Sequence, residues 1–382
     1  MKNKSKGIPP HQGYTAVIIG GMTFASPNAC AHRMLGIAKL LSEVGQKVLM
    51  VGVAQNECSG LFYSFDYVAN KKPMSLLQWM AFSFSAARYK RILKRIPGTL
   101  VVVINASCPS VPAEKLIRFC KRKGHKCVLD IDEWFAKSRD RFPRNLIKDF
   151  DTAIRMKHIC RRNNNYIVSS KLLYEHCGGG RKNVMIFPAL VTEKGDYKPN
   201  SDTKDGISLL FAGKLEKQNT KEDLGPVFKA VEQINAEDGI PFYLDIVGAK
   251  GANKPGVRFY GELPYDECIS HLLSADFTLI PRQSTRKNNA GFPTKLSESF
   301  LYGVPVISTN TSDIADYVVN GKNGYLLESN SSESFFHIFR TIREELAQNP
   351  LFIDEMKKNV VLMNRLQIKT FRESFKVFYE SL

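Results

Sequence analysis

Lys295 and Glu298 stand three residues apart in the stretch Gly291-Phe-Pro-Thr-Lys-Leu-Ser-Glu-Ser-Phe-Leu-Tyr-Gly-Val-Pro-Val-Ile-Ser-Thr. On a helix that spacing places an ammonium and a carboxylate on one face. The cation could hold a diphosphate, and the carboxylate could accept hydrogen bonds from sugar hydroxyls. Pro293 suits the first helical position, and with Thr294 it would open the helix where unpaired N–H groups and a partial positive charge favour an anion. The same two charges also read as a solvated ion pair worth about 0.2–0.5 kcal/mol.

Placing these groups requires a strand before the loop and a turn after the helix. Ala275 to Pro281 is an apolar run of strand length, so the loop 282–292 is expected at the carboxyl edge of a parallel sheet, where open α/β sheets bind ligands. Leu296 and Phe300 fall on one helical face, Gly303 suits the C′ position, and Val304 to Ile307 read as the next strand.

Pro-Thr-Lys-Leu-x-Glu-x-x-x-x-Gly-Val-Pro-Val-Ile, beginning at Pro293, resembles the donor-site signature of GT-B glycosyltransferases, above all the retaining family 4. The resemblance implies that Glu298 binds the ribose of a nucleotide-sugar, and that Gly291, Phe292, Pro293, Thr294 and Lys295 line the donor site. The family often carries a second glutamate eight positions before the first; here that position is Ala290. Asn288, Asn289 or loop N–H groups would then replace its contacts to the donor sugar. Phe211-Ala-Gly-Lys-Leu followed by Lys221 resembles the family's Gly-Arg-Leu…Lys element, which assigns Gly213, Lys214 and Lys221 to the donor diphosphate. Lys217 competes with Lys221, and all of these lysines also read as surface residues. Leu244-Asp-Ile-Val-Gly248 and Val257-Arg-Phe-Tyr-Gly261 resemble the strands whose following loops hold the base.

The first half is α/β as well. Tyr14 to Gly20 reads as a strand, followed by a glycine turn at Gly20-Gly21, a helix to about Val44 and a strand from Lys47 to Val53. The turn is not a Gly-x-Gly-x-x-Gly fingerprint, so a dinucleotide is not expected. In the family resembled, the matching turn lies near the donor phosphates. Leu100 to Ile104, Cys127 to Ile131 and Tyr166 to Val168 read as strands that end in polar residues, which suggests one carboxyl edge turned toward a site. Asp132 or Glu133, past a strand end, could orient or deprotonate an acceptor hydroxyl. Alternatively they pair with the cations of 137–148. Arg33 is a further acceptor or phosphate candidate. Ser75 to Ile96 has helical apolar spacing, aromatic at its start and basic at its end, and suits either an anionic bilayer or packing on a sheet.

Residues 1–200 carry 33 Lys+Arg against 13 Asp+Glu, a net +20, and the remainder is near neutral at −3. A basic half suits a phosphorylated acceptor or an anionic membrane surface, and equally a solvated face. Eight cysteines without a Cys-x-x-Cys pair and seven scattered histidines indicate neither a disulfide framework nor a zinc site. No resident metal or cofactor is expected. The apolar run Ala16 to Gly21 is too short and too late for a signal peptide, and no stretch approaches the ~20 apolar residues of a spanning helix. A cytoplasmic protein is expected, at or near the inner face of a membrane, with no nucleic-acid partner.

The 382 residues fit two domains. The expected division is an acceptor-binding Rossmann-like domain over 1–191, a polar linker over 192–206, a nucleotide-sugar-binding domain over 207–363 and an amphipathic helix over 364–382 returning to the first domain. The resemblance implies two parallel sheets facing across a cleft, a UDP- or GDP-linked donor, a glycan or lipid-linked acceptor, and metal-independent hexosyl transfer with retention. The expected catalytic residues are Lys214, Lys221, Glu298 and Asp132; Gly20, Gly21, Gly248 and Asn289 complete the donor set. A sugar-nucleotide epimerase, a non-catalytic subunit and a polyanion-binding module are the alternatives.

Overall fold

A computed structural model of the protein describes residues 13–24, 29–135, 144–200, 205–215 and 221–382. Lys217 and the cations of 137–143 lie outside the described residues. The chain divides into two compact units. The first comprises Met1–Thr192, Ala290–Phe292 and Gln367–Leu382, the second Glu193–Asn289 and Pro293–Leu366. Both are α/β, as expected.

The sheet of the first unit contains β1 (Ala16–Ile19), β2 (Val48–Ala54), β3 (Cys58–Phe62), β4 (Phe65–Lys71), β5 (Val101–Asn105), β6 (Lys126–Ile131), β7 (Asn165–Val168) and β8 (Asn183–Ile186). Their order is β3-β4-β2-β1-β5-β6-β7-β8. All pairs are parallel except the β3–β4 hairpin, which adds an antiparallel edge. β1 and β5 are fully buried runs of Val and Ile, as a strand covered on both faces requires. The order reverses direction between β1 and β5, so the polar residues that follow these two strands meet at a topological switch point.

The second sheet contains β9 (Ile207–Ala212), β10 (Phe242–Val247), β11 (Val257–Gly261), β12 (Phe277–Ile280), β13 (Val306–Thr309) and β14 (Gly324–Leu327). It is wholly parallel in the order β11-β10-β9-β12-β13-β14, and its switch point lies between β9 and β12. Phe211, Phe242, Phe277, Phe335 and Phe339 fill the core beneath it.

Several expectations shift. Ser75 to Ile96 is two helices, Leu76–Phe84 and Ala87–Leu93. The break falls at extended Ser85, where the Arg88 guanidinium donates to the carbonyls of Phe82 and Ser85 and lies 3.7 Å from the Phe82 ring centroid. The second helix buries Tyr89, Ile92 and Leu93, whereas Leu77, Met80 and Phe84 of the first are exposed. The helix that follows Lys221 begins only at Gly225, and Glu222 pairs in a β-bridge with Arg282. Pro293 is the N-cap of helix Thr294–Leu301 rather than its first residue, and Gly303 leaves the helix at φ +78°. Part of the expected linker is held on the second unit, where Asn200 N–H donates to Ser270 O and Gly195 N–H donates to the Tyr302 hydroxyl.

The last helix, Ile368–Glu380, belongs to the first unit. Phe375 and Phe378 are buried, Phe371 packs edge-on against Phe187, and Arg372 forks onto Glu43 at 2.7 and 2.8 Å. Among the described residues no helix is long and apolar enough to cross a membrane.

Candidate functional site

In the second unit, Gly213 follows β9 and Arg282 follows β12, so both sit at the switch point. Glu222 joins them there: its Oε1 lies 3.4 Å from Arg282 Nε and 3.1 Å from Lys295 Nζ. The Lys295 ammonium is largely buried, 4.1 Å from the centroid of the Phe211 ring. Burial lowers its pKa, partly countered by Glu222. Burial would raise the pKa of Glu222, but Lys295 and Arg282 outweigh it and hold the carboxylate below its usual range. A Cβ on Gly213 would stand 2.7 Å from Lys295 Nζ, and one on Gly248 would stand 2.8 Å from the Gly213 carbonyl. Gly248 also has φ +93°, so bare backbone is required where the ends of β9 and β10 approach.

Glu298 lies one turn beyond Lys295 and accepts a hydrogen bond from the Tyr265 hydroxyl at 2.8 Å. Burial raises the Glu298 pKa, while Tyr265 and Lys295 pull it back. Lys214 extends to the surface and pairs with Glu262 at 2.8 Å, both side chains well exposed. The Lys221 carbonyl accepts from Asn288 Nδ2, whose second hydrogen bond goes to Gln283 O. Asn288 therefore ties the loop after β12 to the segment carrying Lys221 and Glu222. Asn289 bridges Ser312 N–H and Ser284 Oγ. Pro293 and Thr294 open their helix without a side-chain cap. Gly291 and Phe292 are buried with Ala290 in the first unit, where the Ser169 and Ser170 hydroxyls donate to the Ala290 carbonyl. The Ala290 side chain is part of that unit's apolar core, which leaves no room there for a glutamate.

In the first unit the switch point holds a polar network. Gly21 N–H, in the turn after β1, donates to Ser107 Oγ at 2.6 Å, and Ser107 Oγ donates to Asn105 Oδ1 at the end of β5. Asn105 Nδ2 donates to Asp130. Gly20 packs against Asn105 and Ser107. Arg33 closes the network, with Nε at 2.9 and 3.1 Å from the two Asp130 oxygens, Nη2 at 2.6 Å, and Nη1 donating to Phe187 O at 2.6 Å. This corrects the acceptor role expected of Arg33: it is 1% exposed and its guanidinium is occupied inside the core.

Asp132, just past β6, lies next to this network, beside Asp130 and Arg33. Burial and the neighbouring Asp130 push its pKa up to about 6, with Arg33 opposing. Such a carboxyl can exchange a proton near neutral pH. Glu133 lies beside it, half-buried. Among the described residues no three His, Cys, Asp or Glu side chains are grouped as a metal site.

Sequence reasoning missed Glu222, Arg282 and Tyr265, whereas the polar end of the strand over 100–104, where Asn105 and Ser107 stand, was expected at an edge turned toward a site. Glu222 follows Lys221 directly, and only the β-bridge shows that it is not helical. Nothing in the sequence brings Tyr265 to Glu298, 33 residues on.

Two Rossmann-like units of this construction have the GT-B fold. Residues 198–345 match the family model for glycosyl transferases group 1. Sucrose-phosphate synthase from Thermosynechococcus elongatus superposes with TM-score 0.67 at 12% identity, over 96% of this chain and 98% of that one. The catalytic domain of starch synthase IV from Arabidopsis thaliana, bound to ADP and acarbose, gives 0.69 at 10% identity over 96% and 99%. HepE from Anabaena, in complex with UDP and glucose, gives 0.61 at 13% over 97% and 100%. At these identities the likeness is one of fold. Comparison with curated protein sequences gives no match.

Proposed function

We propose that this protein transfers a hexosyl group from a nucleotide-sugar to a hydroxyl of a glycan or lipid-linked acceptor, with retention at the anomeric carbon. The observation that carries the reading is the buried Lys295–Glu222–Arg282 cluster at the switch point of the second sheet, with Glu298 one turn away. The family match over the same unit supports it, as do the UDP and ADP bound by HepE and starch synthase IV.

In this reading the bond between the anomeric carbon and the diphosphate oxygen breaks while a bond to the acceptor oxygen forms. Lys214, Lys221, Lys295 and the N-terminus of helix Thr294–Leu301 offset the charge developing on the diphosphate, the largest demand of such a reaction. Gly213 and Gly248 admit it close to the backbone, Glu298 binds the ribose, and Asp132 takes or orders the acceptor proton. The charge on the leaving group is met by side chains, so activity is expected to persist in a chelator. The basic first unit with its exposed Leu77, Met80 and Phe84 supports contact with an anionic bilayer at the inner face of a membrane. Co-sedimentation with vesicles containing anionic lipid checks that part.

Thermal unfolding with UDP, GDP, ADP, CMP and dTDP tests the donor reading. A nucleotide at about 100 times its Kd adds about 2.7 kcal/mol and raises the midpoint by several degrees. Acceptor-dependent release of that nucleotide from its sugar then separates a transferase from an epimerase. No shift with any nucleotide would refute the reading.

A further inference from the structure

Tyr265 opens helix Tyr265–Leu273, four residues after the end of β11, and its hydroxyl donates to Glu298 Oε1 at 2.8 Å. Tyr197 meets its ring edge-on, with centroids 6.3 Å apart at 82°, and Tyr197 in turn neighbours Tyr302. The phenol thus reaches Glu298 from a separate helix and is supported from behind. Glu298 itself is anchored by a helix whose Leu296 and Phe300 are buried. Among the described residues, Lys295 and Cys268 are further titratable groups near its carboxylate.

A glutamate carboxylate rotates readily about its last torsion and offers about four lone-pair directions. A hydrogen bond on Oε1 removes that freedom and leaves Oε2 in a defined orientation. We propose that Tyr265 is the positioning residue that makes Glu298 selective for ribose: with Oε1 held by the phenol, the remaining lone pairs meet the paired hydroxyls of a nucleoside, and the site distinguishes a ribonucleoside diphosphate from its 2′-deoxy counterpart. The inference rests on the nucleotide-sugar reading above. A site built to accept a substrate hydroxyl rejects the analogue lacking it because a buried polar group is then left unpaired. That discrimination is sharp only while the acceptor is held still. Tyr265 is 43% exposed, so its substitution by Phe is compatible with folding.

The experiment is calorimetric titration of UDP, GDP and ADP, each beside its 2′-deoxy form, into the full chain and into Tyr265→Phe. The wild type is expected to favour the ribonucleotide of its preferred base by about tenfold or more, in line with one hydrogen bond to a charged group. Tyr265→Phe should bring the ratio within about threefold by weakening the ribonucleotide while leaving the deoxy form unchanged. An unchanged ratio in the variant, or equal weakening of both forms, overturns the positioning role and leaves the donor reading intact. Absence of binding by every nucleotide to the wild type overturns both.

Discussion

The Lys295 ammonium lies 3.1 Å from Glu222 Oε1, and the same oxygen lies 3.4 Å from Arg282 Nε. One carboxylate thus serves two cations that come from different elements and meet only at the switch point of the second sheet. Removing one partner of a buried pair leaves an uncompensated charge, which costs more than the pair contributes.

Glu222→Gln should therefore destabilise the protein by about 3 kcal/mol at neutral pH. The Glu222 pKa is held below 4.5 in the folded chain, so its contribution is complete above that value and is lost as pH falls through the depressed one. Urea unfolding of wild type and variant should give curves that converge on acidification below about pH 4. A gap independent of pH would show that the carboxylate's charge is not what stabilises this cluster.

Arg33→Met is expected to cost about 3–5 kcal/mol, because the buried Asp130 loses the fork that pairs it. Arg33→Lys should also destabilise measurably, since an ammonium cannot reproduce the paired contacts together with the bond to the Phe187 carbonyl. Were Arg33 an acceptor contact, its substitution would alter KM and leave the unfolding midpoint in place.

Asp132 carries the opposite sign. Its pKa rises from 3.8 to about 6 on folding, so ionising it costs stability as pH climbs through the folded value. Asp132→Asn should be more stable than wild type by on the order of 2 kcal/mol at pH 7.5 and equal to it below about pH 4. If the carboxylate takes the acceptor proton, the wild-type rate rises through an apparent pKa of about 6, and the Asn variant loses that limb together with most of its rate. A variant that kept the limb would move the proton transfer elsewhere.

Glu298→Ala should weaken nucleotide binding by about 1.5–3 kcal/mol, the range for a hydrogen bond to a charged group. Calorimetry of the variant decides it, with the melting midpoint as a control for folding. Unchanged affinity would remove Glu298 from the site.

Most strands and the helix carrying Lys295 and Glu298 were legible, because apolar runs such as Val101–Asn105 and Ile207–Ala212 and turn residues such as Gly303 are local signals. Boundaries set by distant contacts were not. Glu222 stands outside helix Gly225–Asn235 and pairs with Arg282, and Ser75 to Ile96 breaks where Arg88 folds back on Phe82. Arg33 looked available on its helix because its partner Asp130 is 97 residues away.

What the sequence alone determined is the order of α/β elements, the basic first half and the resemblance of residues 293–307 to a donor-site signature. These follow from periodicity and composition, which are carried by neighbouring residues. The strand order was decided only in three dimensions, and with it which loops share a switch point: Gly21 with Ser107, and Gly213 with Arg282. The tertiary structure also decided which charges are neutralised and which are left to act. Arg33 and Asp130 cancel each other in the core, whereas Asp132, two residues further on, is half-buried beside like charge with its pKa raised to about 6. Burial and distance govern that difference, and neither is a property of the chain until it folds.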